Sequence, residues 1–457
     1  MVTKRLFTTG TRLNLSKKQL KYFKADIEKQ SRLFRIVWKL IQTSNLKQPQ
    51  LNTHLQDTYN IDKRTANTLI QLAKGRLKAL KALKDVERAE LRNKIGSFEA
   101  QIASLKTIVE RQKEDAANNK LDENQLAAYR GNKDKLWQKG QKLNRMKQRL
   151  KKMDGMLKKP VLPLCWGGKK AFKAQHRLKE NGFKSHEAWK NWYRKKRDGQ
   201  INYVGSVGEP HGNQNSQLHY NEGAGAFSLK IRKDLGLMET TDDKFFFLDS
   251  LDFKYQREKM IGIIQSNNTP LTTRILRRGT KWYLQIVFTW AAELESIQTN
   301  LLYGAIGIDY NDGFIELSET DYYGNLVSQT HVPLNYHGTG NRAKTEVEQK
   351  ISVLIKQASE KQKPIVVEDL DFKKTKAKIL PGSNRQYNKM LHAFDYSRYK
   401  DTLENAAFRN NVGLIYVNPA YTTKIGISKY QNQKKLNRHQ AASYVIARKG
   451  QGYSDTV

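Results

Sequence analysis

At 457 residues, with 38% hydrophobic and 10% aromatic residues, the chain has room for two to four domains with buried cores, although its mean hydropathy of −0.74 is low. Lys and Arg outnumber Asp and Glu by 82 to 44, a formal net charge of +38; such an excess repels itself in a compact body unless a polyanion lies against it, nucleic acid being the commonest. The sequence has no run of about eighteen apolar residues, no apolar signal core behind Met1-Val-Thr-Lys-Arg5, and a single cysteine, Cys165, which argues against membrane insertion, secretion, disulfides and a zinc site built on a Cys pair, and for a reducing cytoplasm.

Lys4 to Thr8 reads as a short strand. Ser16-Lys-Lys-Gln19 is a capping-box pattern, and Leu20, Phe23, Ile27, Leu33, Phe34, Val37 and Leu40 recur behind it at roughly helical spacing, up to Ser44-Asn45 and before Pro49. From Arg64 to Ala116 the pattern is helical, and Leu91, Ile95, Phe98, Ile102, Leu105 and Val109 form a heptad seam. Leu136, Leu143, Met146 and Leu150 continue it beyond the polar turn Asn118-Asn119-Lys120, so the spacing predicts an antiparallel helical hairpin. The apolar stripe is a packing feature. The opposite face is densely basic from Lys133 to Lys159, and Lys147, Arg149, Lys151 and Lys152 there are either a solvated surface or candidate phosphate contacts.

Pro160 and Pro163 end that region. Aromatics and cations then mix at Trp189, Trp192, Tyr193, Arg194, Lys195, Lys196 and Arg197. Rings that stack on unpaired bases beside cations that hold a backbone suit RNA or single strands; equally, Trp189 and Trp192, three apart, pack under one helix. Beyond Gly199 the period becomes two. Tyr203-Val-Gly-Ser206, Phe227 to Arg232, Lys244 to Leu248, Thr272 to Arg277 and Trp282 to Phe288 read as strands, with Arg278-Gly-Thr-Lys281 a hairpin turn, and a small β-barrel is expected. Gly208 to Gly225 is turn-rich, with Asn213-Gln-Asn215 able to satisfy backbone groups or base edges.

The last module begins at Ala305. Ile306 to Asp309, Phe314 to Ser318 and Leu326 to Val332 read as three strands, the first two joined by the turn Asp312-Gly313; Arg342 to Gln362 is a helix, Pro364 to Asp371 a fourth, largely apolar strand, Lys400 to Asn410 a helix, Gly413 to Val417 a fifth strand and Asn437 to Lys449 a final helix. That is the order of elements in the RNase H-like fold. In a sheet of that order the first and fourth strands are parallel neighbours, so Asp309 and Glu368 end at one edge, where open α/β sheets bind ligands. Two carboxylates so close repel each other unless a divalent cation lies between them, and Mg²⁺ there suits phosphodiester hydrolysis.

Gly307-Ile-Asp309, Ile365-Val-Val-Glu-Asp-Leu370 and Val417-Asn-Pro-Ala-Tyr-Thr422 resemble the RuvC motifs of the transposon-encoded TnpB proteins and of related compact type V CRISPR effectors. The resemblance is strongest over 301–457, and its order of parts extends to the whole chain. It implies a multi-domain α+β protein with residues 1–12 as the first strand of a wedge β-barrel, 13–198 as a helical recognition domain, 199–300 as the rest of the barrel, and 301–457 as an RNase H-like (RuvC) α/β nuclease domain. It further implies an RNA-guided DNA endonuclease, a monomeric ribonucleoprotein with guide RNA and target double-stranded DNA as partners and Mg²⁺, or Mn²⁺, as cofactor.

Two departures from the family pattern bear on that expectation. Family members commonly carry a zinc ribbon before the last helix, whereas only Thr423 to Lys435 fill that gap here without a cysteine, so the insertion at 423–435 is expected to be zinc-free. The family's third catalytic carboxylate opens that helix, whereas this one opens Leu436-Asn-Arg-His-Gln-Ala-Ala442, with Arg438 in the acid's register. His439 is the candidate third ligand or proton carrier, or else it caps or packs the helix. Among nearby acids, Asp312, Glu319, Asp369 and Asp371, Asp312 belongs to its turn and Asp369 is expected on the face opposite Glu368. The alternatives are a nuclease-dead, guide-directed DNA-binding protein that represses transcription, and a guide-independent transposase or resolvase.

Overall fold

The structure, a computed structural model, describes residues 3–209, 211–237, 244–267, 269–292, 297–311, 313–334, 340–369 and 396–455; Asp312 and Asp371 lie outside the described residues. The chain is a mixture of helices and sheets that divides into two compact units, Leu6–Trp290 and Ala291–Val457, the latter joined by the first residues through Arg5.

In the first of these, strand β1 (Thr3–Leu13) leads into helix α1 (Lys17–Thr43), which opens on the predicted capping box: Ser16 Oγ accepts from the Gln19 amide at 3.2 Å and Gln19 Oε1 from the Ser16 amide at 2.9 Å. Helix α2 (Gln48–Tyr59) carries Pro49 in its first turn and packs Leu51 and Leu55 against Leu33 and Val37 of α1 and Leu69 and Ile70 of α3 (Lys63–Ala117). Helices α3 and α4 (Glu123–Leu157) form the antiparallel hairpin, joined side to side by Asn132 to Gln112 at 3.1 Å, Lys139 to Gln101 at 2.6 Å and Lys147 to Glu99 at 2.6 Å. Leu91 and Ile95 are buried, but the rest of the seam is half-buried because two helices alone cannot enclose it.

Short α5 (Lys169–Lys173) and α6 (His186–Arg197) precede the strands β2 (Gln200–Tyr203), β3 (Gly212–Asn213), β4 (Ser216–Asn221), β5 (Ala226–Arg232), β6 (Phe245–Leu251), helix α7 (Arg257–Ser266), β7 (Thr272–Arg278) and β8 (Lys281–Ala292). The single small barrel expected from the alternating pattern is instead two four-stranded sheets, β1-β8-β7-β2 and β3-β4-β5-β6. Alternation specifies one buried face per strand but not which strands share a ladder. Phe23 of α1 lies 6.0 Å from Phe246 and 6.1 Å from Trp282, so this helix shares its core with strands of both sheets.

In the second unit, β9 (Ile306–Asn311), β10 (Phe314–Thr320), β11 (Leu326–Pro333), α8 (Gly340–Glu360), β12 (Ile365–Glu368), α9 (Tyr396–Arg409), β13 (Leu414–Val417), α10 (Thr422–Ile425) with a π-helical turn to Gln431, and α11 (Arg438–Gly450) follow one another. Their sheet has the order β11-β10-β9-β12-β13, with β9, β12 and β13 parallel. One face buries Ile306, Ile308, Ile315, Leu317, Ile365 and Val367 against Ile351 and Ile355 of α8 and Leu403 of α9. The other face is covered by α11, whose Ile446 packs on Val366. Gly307 makes that approach possible: a Cβ there would stand 2.2 Å from the Ser443 carbonyl oxygen and 2.4 Å from the Ala447 nitrogen.

Candidate active site

The hairpin between β9 and β10 pairs Asn311 with Phe314, Tyr310 with Ile315 and Asp309 with Glu316. On the other side of β9, Ile308 pairs with Val367 of β12, so the next residue of each strand, Asp309 and Glu368, are neighbours at the carboxyl ends of parallel strands. Both follow a residue packed in the α8 side of the core, so both side chains stand on the face beneath α11.

Asp309 is largely buried, its Oδ2 accepting from Asn311 Nδ2 at 2.9 Å and lying 3.0 Å from His439 Nδ1. Glu368 Oε1 accepts from Thr422 Oγ1 at 2.6 Å. Burial raises the Glu368 carboxyl above the ordinary range and the charge of Asp309 raises it further, against the pull of the Thr422 hydrogen bond and of Lys449. His439 is not the cap of α11. Asn437 is, its Oδ1 accepting from the His439 and Gln440 amides at 2.9 and 2.8 Å. The imidazole is thereby free to reach Asp309 and to stand edge-on to Phe314, 5.2 Å between ring centres. Arg438 is exposed.

Of the other acids named from the sequence, Asp312 and Asp371 lie outside the described residues, and Glu319 and Asp369 do not join the site. Glu319 lies on the α8 side, bound to Lys361 at 2.6 Å and Lys363 at 2.7 Å, which with Ser328 overcome its burial and hold its carboxyl down to about 2. Asp369 pairs with Lys400 at 3.2 Å. Among the described residues no three His, Cys, Asp or Glu side chains stand close enough together to share a metal ion. The donor set nonetheless suits a divalent cation: two hard carboxylates from adjacent strands, one of them raised by the charge of the other.

Several residues at this place carry no motif. Glu316 and His331 lie on the same face as Asp309, one and two strands away. The Asp312-Gly313 pair in the sequence is a signal for Glu316, since a two-residue loop in a hairpin forces its pairing with Asp309. No such signal reaches His331, because the β10–β11 register shifts at Glu319 and Thr320.

Two solved structures show what this chain is similar to. RuvC of T. thermophilus in complex with a Holliday junction substrate matches at 14% identity and a TM-score of 0.24, over 31% of this chain and 88% of that one. The Cas12f1–sgRNA–target DNA complex matches at 12% identity and a TM-score of 0.24, over 54% of this chain and 66% of that one. No family model matches the sequence, and no curated protein matches it. No helix among the described residues is long and apolar enough to cross a membrane.

In the other unit, Lys147, Arg149, Lys151 and Lys152 are exposed on α4, Lys147 being the one that bridges to Glu99. The aromatic stretch is packed against its own helix and the residues before it. Tyr193 stacks on Trp189 at 5.1 Å and donates its hydroxyl to the Trp166 carbonyl, and Trp192 packs on Phe183 at 5.1 Å with the Lys196 ammonium over its ring. Arg197 is bound to Asp198 at 2.9 Å, and Arg194 is exposed. Lys195 is exposed beside it, so Arg194 and Lys195 are side chains of that stretch open to a phosphate.

Proposed function

We propose that the chain is an RNA-guided DNA endonuclease whose cutting site is the pair Asp309 and Glu368, acting with guide RNA and target double-stranded DNA as a monomeric ribonucleoprotein. The observation that carries the reading is the placing of these two carboxylates by adjacent parallel strands, β9 and β12, on one face beneath α11, where the charge of Asp309 adds to the burial that raises Glu368. Asp309 and Glu368 would hold Mg²⁺ or Mn²⁺, which when bound supplies charge neutralisation and Lewis acidity at a phosphodiester. The residues themselves prepare that place. Thr422 holds one oxygen of Glu368, and Asn311 and His439 hold Asp309. The net charge of +38 supports a polyanion as the thing bound.

The test is cleavage of a matched duplex by the full chain with its co-purified RNA, in Mg²⁺ and in Mn²⁺. Asp309→Ala is expected to abolish cutting, by at least about a thousandfold, while binding persists. A wild-type chain that binds and never cuts overturns the reading. One observation favours a second: an exposed Arg438 stands where the family's third acid would be, and among the described residues no third acidic ligand joins the pair. On that reading the chain occupies its DNA target and represses transcription without nicking, and Asp309→Ala leaves repression unchanged.

A further inference from the structure

Asp309 and Glu368 are half of a longer row. Cross-strand pairing sets Glu316 opposite Asp309 and His331 opposite Glu316, so these side chains share the face that α11 covers, spaced by about 5 Å per strand. Glu316 is 2% exposed. Its Oε1 lies 2.7 Å from His331 Nδ1, and its Oε2 is buried with no hydrogen-bond partner among the described residues. A buried carboxylate so incompletely satisfied costs free energy, and such costs are retained where function needs them. What this one holds is an imidazole. With Nδ1 engaged by Glu316, Nε2 is the second nitrogen that the half-exposed His331 has to offer a ligand. The neighbouring pair repeats the arrangement, since Asp309 holds His439 by its Nδ1, and the Phe314 ring stands between the two imidazoles, 5.3 Å from His331 and 5.2 Å from His439.

We infer that His331, held by Glu316, is a substrate-binding residue that donates a hydrogen bond from Nε2 to a backbone phosphate of the DNA strand, beside the phosphodiester that meets Asp309 and Glu368. The inference rests on the reading of those two residues as the cutting site. A strand laid over Asp309, Glu316 and Glu368 meets three carboxyl groups, and needs donors next to them to stay in place. β11 is two strands from β9, about 10 Å, so His331 reaches a phosphate next to the reacting one and not that phosphate itself. Set between Glu316 and a phosphate, the ring meets an acceptor at each nitrogen; the other titratable groups on this face include His439, across Phe314, and Asp309 and Glu368.

The experiment reads binding separately from cutting. The full-length chain with its co-purified RNA is titrated, with Ca²⁺ in place of Mg²⁺, with a labelled DNA strand that carries the guide-complementary sequence and its flanks. In this strand one phosphate at a time is replaced by an uncharged methylphosphonate. The wild type should lose about tenfold in affinity at one or two positions, as expected for one charge-assisted hydrogen bond. His331→Ala should lose about tenfold on the unmodified strand and show no further loss at those positions. Glu316→Gln, which still offers Nδ1–H an acceptor, should lose less than Glu316→Leu, and His331→Gln, which keeps a donor, should recover part of the loss. Identical methylphosphonate profiles for wild type and His331→Ala overturn the inference, and so does His331→Gln behaving as His331→Ala while both melt like the wild type. A chain that shows the profile and does not cut in Mg²⁺ sinks the nuclease reading alone.

Discussion

Burial, and after it the charge of Asp234, push the Asp26 carboxyl up to about 7, although a hydrogen bond from Gln30, the charge of Lys29 and a hydrogen bond from the Tyr203 hydroxyl all pull it down. The neutral acid is therefore favoured in the folded state. Stability from this group is fully present below the unfolded carboxyl range, near pH 4, and is lost as pH rises through about 7. The rise from 3.8 to about 7 corresponds to about 4 kcal/mol at most. Asp26→Asn keeps an acceptor for Gln30 and removes the charge. Its urea midpoint, followed by tryptophan fluorescence, should fall less between pH 4 and pH 8 than that of the wild type, and should lie above it at pH 8. Equal slopes for the two proteins would show that Asp26 does not carry this dependence. Asp234, raised chiefly by its burial, contributes with the same sign and remains in the variant.

At the scale of elements, the site depends on how closely α11 lies against β9. Gly307→Ala would set a methyl group against backbone atoms of Ser443 and Ala447, which cannot turn aside as a side chain can. We expect a loss of about 1–3 kcal/mol in stability and, because His439 rides on the same helix, at least about a tenfold loss of cutting with DNA binding retained. Thermal melting and single-turnover cleavage check both, and unchanged cutting would mean that the site tolerates a displaced helix. The elements around this contact were readable in advance. Apolar runs closed by acids announced β9 and β12, helical spacing announced α8 and α11, and the order of elements predicted that Asp309 and Glu368 would be neighbours. Their surroundings were not readable to the same degree. Thr422 reaches Glu368 only because Tyr421 takes a left-handed conformation, φ 65°, that turns the chain into α10, and His331 depends on a bulge. Packing likewise hid the pairing of β1 to β8 in two sheets, and it turned Tyr193 and Trp192 from candidate stacking platforms into partners of Trp189 and Phe183. Local pattern reports which face of an element is apolar; it does not report what that face meets.

Over the whole molecule the dominant quantity is the charge of +38. Each cation that meets a phosphate releases condensed counterions, so the logarithm of affinity falls linearly with the logarithm of salt, by about 0.9 per phosphate for duplex DNA and about 0.7 for a single strand. A contact of six to ten phosphates then loses roughly a thousandfold or more between 50 and 200 mM salt. On α4, Lys147 bridges to Glu99 while Arg149, Lys151 and Lys152 are exposed, which separates charge spent inside the hairpin from charge available to a partner. Replacing Arg149, Lys151 and Lys152 together by Gln should lower the slope by about two for the co-purified RNA if they lie along its backbone, each contact counting for about 0.7 to 0.9. Lys147→Gln alone should change the slope little and lower the melting temperature slightly, since it removes an exposed bridge worth at most about 1 kcal/mol. Affinities measured from 50 to 300 mM salt decide the matter. If the triple variant keeps the wild-type slope, that face of α4 is solvated surface, and the polyanion that offsets the chain's charge is held by other residues.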